Sequence, residues 1–180
     1  QQLSVPATLS FTTREGTWQT SAHIEDVTTP IRNPEVAANG DTVVAVWSED
    51  GSGIALNQYV PGTGWSGRKS FPSGTGSNNP QVAVDSQGTS HIVWTRYQFP
   101  ATSVEGTQYS AASGFASMQL AENEDVFGAS AAQVAIDAQD QIFAHWRYGS
   151  GTTSSDGSPW YNRYVPGAGW GDINPLENSP

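Results

Sequence analysis

The 180-residue chain has no cysteine, which excludes disulfide frameworks and thiolate metal sites. Cations are scarce: Lys and Arg number 7 against 17 Asp and Glu, for a net charge of -10. That balance repels phosphate backbones and anionic lipid headgroups, so no nucleic-acid partner is expected. No apolar run approaches the eighteen or so residues needed to cross a bilayer, so no membrane insertion is expected. Charged residues make up only 13%, and Ala-Leu-Glu-Lys helix material is sparse. GxSxG, HExxH and EF-hand loop motifs are all missing, leaving no residue to nominate as catalytic and none as a metal ligand. No cofactor is expected.

Turn formers and aromatics fill the space instead: 19 Gly, 11 Pro and 7 Trp, with abundant Ser and Thr. This composition reads as all-β. An acidic, Lys-poor, Trp-rich chain of this kind also suggests a secreted or cell-surface protein. The length suits one domain with a sizeable core.

The chain repeats itself. "NPEVAANGDTVVAVW", "NPQVAVDSQGTSHIVW" and "AAQVAIDAQDQIFAHW" are one pattern restarted about every fifty residues. The mid-unit tryptophans Trp47, Trp94 and Trp146 are 47 and 52 residues apart. Each unit closes on Trp65, Phe115 or Trp170, six residues after Tyr59, Tyr109 or Tyr164, and Trp18 belongs to the same series. Every unit reads as four strands: a short one with a small Ala (35–37, 81–84, 133–136), a continuous apolar run ending at the Trp, a third that alternates, and an outer one from the closing aromatic. Strand repeats of this length point to β-propeller-type four-stranded blades, about three and a half per chain. The expected divisions are a partial blade over 1–29 and blades over 30–71, 72–120 and 121–180. Three blades cannot close a ring. A homo-oligomer, with a dimer favoured, would complete it; the chain could also be cut from a longer propeller, or its repeats could stack otherwise.

The tight turns keep their length, while the loop after the second strand grows from 48–53 to 95–106 to 147–159. Variable loops on a rigid scaffold are where binding concentrates. Arg96-Tyr97 and Arg147-Tyr148 follow the strand tryptophans at what reads as equivalent places, with Ser48-Glu49 in the first unit. Arg beside an aromatic suits a sugar or carboxylate: planar donors for hydroxyls, a ring for the apolar sugar face. Arg96, Tyr97, Arg147, Tyr148, Glu49 and Trp160 are therefore the candidate ligand contacts. The alternative is that each Arg pairs with a nearby acid between blades and each Tyr packs. The closing aromatics read as packing positions, and His23, His91 and His145 as packed histidines. The segments 85–88 and 137–140 read as plain turns rather than calcium ligands. Glu122, Glu124 and Asp125 are acids on a connecting loop, and sequence does not place them in the paired geometry that glycoside hydrolysis needs.

Units such as "VAVDSQGTSHIVW", closed by "GTGW", resemble the extracellular propellers of bacteria, the sialidase-like BNR superfamily in the broad sense, over about residues 30 to 170. The superfamily's Asp-box, Ser-x-Asp-x-Gly-x-x-Trp, is not reproduced: the Asp85–Gly88 spacing differs and the Trp lies further on. There is also a weaker similarity to oligomeric propeller lectins, whose strands end in Gly-x-Gly-Trp. These resemblances imply a lectin-like carbohydrate-binding or adhesion propeller that takes a glycan or other extracellular ligand. The competing expectations are a fragment of a propeller glycoside hydrolase or polysaccharide lyase, and a structural or protein-interaction module.

Overall fold

The computed structural model describes residues 23–25, 28–98, 101–122, 128–149 and 157–177. The expected partial blade over 1–29 lies almost wholly outside the described residues. Fifteen strands and no helix occur among them. They form three antiparallel sheets. The first is β1 (Ile31–Asn39), β2 (Thr42–Glu49), β3 (Gly53–Val60), β4 (Gly64–Trp65) and β5 (Lys69–Phe71). The second is β6 (Ser77–Val84), β7 (Ser90–Gln98), β8 (Ala101–Ser110), β9 (Gly114–Phe115) and β10 (Gln119–Leu120). The third is β11 (Ala129–Ile136), β12 (Ile142–Tyr148), β13 (Ser158–Val165), β14 (Gly169–Trp170) and β15 (Asn174–Pro175). In each blade the outer edge is split into two short pieces that both pair with the third strand. The outer strand expected from the closing aromatic is interrupted in the first blade at Gly67, whose φ of 96° suits glycine and not a ladder residue.

Strand alternation hands each blade two faces. Val44, Val46, Ile54, Leu56 and Phe71 of the first blade pack against Val84, Ile92, Trp94 and Tyr109 of the second. Val93, Val104 and Ala121 of the second pack against Ala129, Ala132, Ala144 and Trp146 of the third. The central Trp of each blade thus faces the preceding blade. Trp47 obeys the same rule: with Ala45 and Ala55 it packs against Ile24, and Asn57 Nδ2 donates to the Ile24 carbonyl at 2.8 Å. Asn162, the third blade's equivalent of Asn57, donates to the Ala121 carbonyl at 2.8 Å. Ile24 lies six residues after Trp18, as Phe71 and Ala121 lie six after Trp65 and Phe115.

The apolar runs of β2 and β7 are covered on both faces, as expected. β12 differs: Ile142, Ala144 and Trp146 are buried, but His145 and Arg147 are exposed. The run in β12 is therefore amphipathic, with one face against the second blade. The segment 95–106, expected as a loop, is mostly ladder. β7 and β8 stay paired from Trp94↔Glu105 out to Gln98↔Ala101. Thr95, Thr102 and Val104 are β-branched and pack readily on such a surface.

Each innermost strand carries a bulge at the same place, between Arg32 and Glu35, Asn78 and Gln81, and Ser130 and Gln133. Its left-handed residue is Asn33 (φ 51°), Asn79 (φ 51°) or Ala131 (φ 56°). Asn tolerates that conformation, whereas a Cβ without a local hydrogen bond costs about 1 kcal/mol there. Ala131→Asn is accordingly expected to stabilise the protein by about 0.5–1 kcal/mol, read as a rise of about 1–4 °C in Tm. An unchanged or lowered Tm would show that the bulge strain lies elsewhere.

Candidate functional site

The blade-to-blade connections and the ends of the second strands share one face of the array. There, the second residue after each central Trp occupies an equivalent place: Glu49 pairs with Ile31, Arg96 with Ser77, and Tyr148 with Ala129. The residue opposite each Trp is likewise equivalent: Ala55, Glu105 and Trp160.

The three blades fill this frame with different chemistry. In the first, Trp47 Nε1 donates to Glu49 Oε1 at 3.0 Å. Arg68, from the outer edge, donates through Nε and Nη2 to both Glu49 oxygens at 2.6 Å. In the second, the carboxylate comes from the facing strand. Trp94 Nε1 donates to Glu105 Oε2 at 3.0 Å, and Arg96 Nη1 donates to Glu105 Oε1 at 3.0 Å. In the third, aromatics replace both charges. Trp160 stands opposite Trp146, and Tyr148 packs on it with ring centroids 5.8 Å apart. Trp146 Nε1 is buried with no acceptor among the described residues.

Glu49 is 4% exposed. The bidentate Arg68 guanidinium, helped by the Trp47 N–H and opposed by burial, holds its carboxyl below the usual carboxylate range. It is therefore ionised at neutral pH and has no proton to donate as a general acid. The rim instead offers fixed polar groups and aromatic rings.

Of the six expected contacts, Glu49, Arg96, Tyr148 and Trp160 lie around the central tryptophans of successive blades. Tyr97 is 47% exposed at the end of the β7–β8 hairpin. Arg147 departs from expectation. It follows Trp146 by one residue and Arg96 follows Trp94 by two, so a period of two turns them to opposite faces. Arg147 is the equivalent of Ser48 and Thr95 and is exposed on the face of the third blade that points away from the second. The sequence reading missed Glu105 and Arg68. Their signal was present: Glu105 precedes Tyr109 by four residues, as Ala55 precedes Tyr59 and Trp160 precedes Tyr164.

The opposite, tight-turn face carries capped turns. Asp85 Oδ1 accepts from the backbone N–H of Gln87 and Thr89, and Asp137 Oδ1 from those of Gln139 and Gln141. These carboxylates are occupied by their own turns. Asp140 takes both the backbone N–H and the hydroxyl of Ser86, tying the third blade's turn to the second's. His91 is packed, 6% exposed, with Nε2 3.1 Å from Asp85 Oδ2. His23 and His145 are exposed rather than packed. The three histidines are scattered, and no group of three or more His, Asp or Glu suited to a metal exists among the described residues. Glu122 is buried; Glu124 and Asp125 lie outside the described residues.

Of the closing aromatics, Phe115 and Trp170 are half-buried against the core clusters, as expected of packing positions, whereas Trp65 is exposed. Each meets the Tyr six residues before it, at centroid distances of 5.7, 5.0 and 5.4 Å. Trp18 lies outside the described residues.

No family model matches the sequence, and no curated protein matches it. Solved structures do. One comes from work on the GH130 family of mannoside phosphorylases, which contains glycoside hydrolases that target beta-1,2 mannosidic linkages in Candida mannan. It is 12% identical, with a TM-score of 0.51 over 84% of this chain and 50% of its own. A glycosyl hydrolase from Bacteroides ovatus is 11% identical, with a TM-score of 0.49 over 83% of this chain and 50% of its own. The chain spans about half the length of these structures. What it shares with the first of them is the fold: all-β, with four-stranded antiparallel blades of the β-propeller type.

Proposed function

We propose that this chain forms part of a carbohydrate-active β-propeller working outside the cell. Its ring is completed by further blades, either from a second copy or from more of a longer chain. The observation that carries this reading is the position two residues after the central Trp. The scaffold there repeats, yet the side chains are Glu49, Arg96 and Tyr148, three different groups held against conserved architecture. A packing position would keep one kind of residue, as Tyr59, Tyr109 and Tyr164 do. Charged donors and acceptors beside exposed or half-buried rings suit sugar hydroxyls and sugar faces. Tyr97, Tyr148 and Trp160 supply the rings, and Arg96 a planar donor.

A propeller of the glycoside-hydrolase kind is favoured over a free-standing lectin, because the solved structure that shares this fold belongs to such a family. The catalytic carboxylates of the assembled ring would then come from the other blades, since Glu49 and Glu105 are spent on Arg68 and Arg96. The test is an oligosaccharide array, with β-mannosides included, read both for binding and for release of reducing ends. Tyr148→Ala is expected to weaken binding about tenfold, the loss of one aromatic contact worth about 1.4 kcal/mol. Product release supports the hydrolase form, and binding without release supports the lectin form. The absence of both binding and release in the assembled protein would overturn the proposal.

A further inference from the structure

Each blade has a leading face, which carries the central Trp toward the preceding blade, and a trailing face opposite it. In the first two blades the next blade covers the trailing face. Val46 and Leu56 stand opposite one another on the first, Val93 and Gly106 on the second, and all four are buried. Phe71 and Ala121 close the outer ends of these faces. Phe71 lies against Trp94, with ring centroids 5.6 Å apart, and Ala121 shares a cluster with Trp146.

The trailing face of the third blade keeps this frame and changes its chemistry. The equivalents of Val46 and Leu56 are His145 and Tyr161. Arg147 takes the Ser48 position, and Arg163 stands opposite Phe143. His145, Arg147 and Arg163 are all exposed, and no Asp or Glu occupies a strand position among them. The Leu176 N–H donates to the Pro159 carbonyl at 2.8 Å, as the Ala121 N–H does to the Val104 carbonyl at 2.9 Å. Leu176 is therefore the equivalent of Phe71 and Ala121, the residues that receive the next blade's Trp, yet it is 56% exposed. The face is half of a seam.

Its cations set it apart from the two seams within the chain. Arg32, Arg68 and Arg96 each bond a carboxylate. Arg147 and Arg163 make no ion pair among the described residues; Arg163 Nη1 donates only to Gln141 Oε1, at 3.3 Å. Blades that fold together in one chain can meet through apolar faces. A face that waits for a separately folded partner has to stay soluble on its own, and charge does that.

We infer that the trailing face of the third blade docks a second copy of this chain, head to tail, through an ionic seam. This rests on the incomplete ring of the proposed function and selects one of its two ways of completion. The first fifty residues carry seven acids against two arginines and no lysine, so the leading end of a second copy brings the carboxylates this face lacks. Two copies around one axis make the contact twice and close the ring. Each chain has a net charge of -10, but at physiological salt charges more than about 8 Å apart are largely screened, so pairing at the contact outweighs the overall repulsion.

The experiment is light scattering and sedimentation of the full chain over a range of salt concentrations. A species of twice 19.1 kDa is expected, with Kd rising about tenfold or more from low to high salt. The double variant Arg147→Glu, Arg163→Glu is expected to weaken association about a hundredfold, and Leu176→Asp about tenfold. The variant monomers should keep a Tm within about 2 °C of the parent monomer's, because the substituted side chains are exposed. A monomer at every concentration and salt, a dimer that none of these variants weakens, or a dimer that tightens with salt would overturn the inference. If the chain stays monomeric yet binds oligosaccharides through Tyr148, this docking face fails while the proposed function stands. If it dimerises through Arg147, Arg163 and Leu176 but neither binds nor cleaves any oligosaccharide, the docking face stands and the proposed function fails.

Discussion

Glu105→Ala is expected to cost about 3 kcal/mol of stability, the low end for breaking a buried charge pair because Arg96 keeps some contact with solvent. Glu105 is 2% exposed and is the shared acceptor for Trp94 and Arg96. Its removal leaves a cation and an indole N–H without their acceptor in the first-to-second seam. For a chain of this length that is a fall of about 6–12 °C in Tm. The first blade shows how the sequence can manage without a carboxylate at this position: it has Ala55 there, places Glu49 two residues after the Trp, and brings Arg68 from the outer edge. The equivalents of Glu49 and Arg68 in the second blade are Arg96 and Met118. The triple variant Arg96→Glu, Glu105→Ala, Met118→Arg rebuilds the first blade's arrangement in the second. It is expected to recover most of the loss in urea and thermal unfolding. If the triple variant is no more stable than Glu105→Ala alone, the equivalence of the two clusters is wrong.

The three central tryptophans should respond unequally to Phe. All three are 0–1% exposed, so each substitution loses similar packing, about 1–2 kcal/mol. Trp47→Phe and Trp94→Phe also take a donor from a buried carboxylate, which adds about 1–3 kcal/mol. Trp146→Phe loses no hydrogen bond among the described residues, since Trp146 Nε1 has no acceptor there. The expected order is therefore about 3 kcal/mol for the first two and about 1–2 kcal/mol for Trp146. Equal losses of about 1–2 kcal/mol at all three positions would show that packing alone sets the role of the tryptophan. Equal losses of about 3 kcal/mol at all three would point to an acceptor for Trp146 supplied from outside the described residues.

The blade frame was legible in the sequence because packing positions recur. Trp47, Trp94 and Trp146 each need a seam on one side and a strand partner on the other, and in every unit a Tyr follows and stands six residues before the closing aromatic. The candidate rim was legible in part. Glu49, Arg96, Tyr148 and Trp160 were found by their distance from those landmarks. Arg147 was misjudged because a shift of one residue is almost invisible in a string but reverses the side chain in a strand. Glu105 went unnoticed because an acid in an alternating strand looks like a solvent-facing residue until a neighbouring blade covers it.

The sequence by itself determined the fold class, the four-strand blade, the turn positions and the places that must be aromatic, since each follows from periodicity and local steric preference. Tertiary structure alone decided which face each residue presents and which carboxylate accepts from which indole. Those outcomes depend on what a neighbouring blade places a few ångströms away, and that neighbour lies about fifty residues off along the chain.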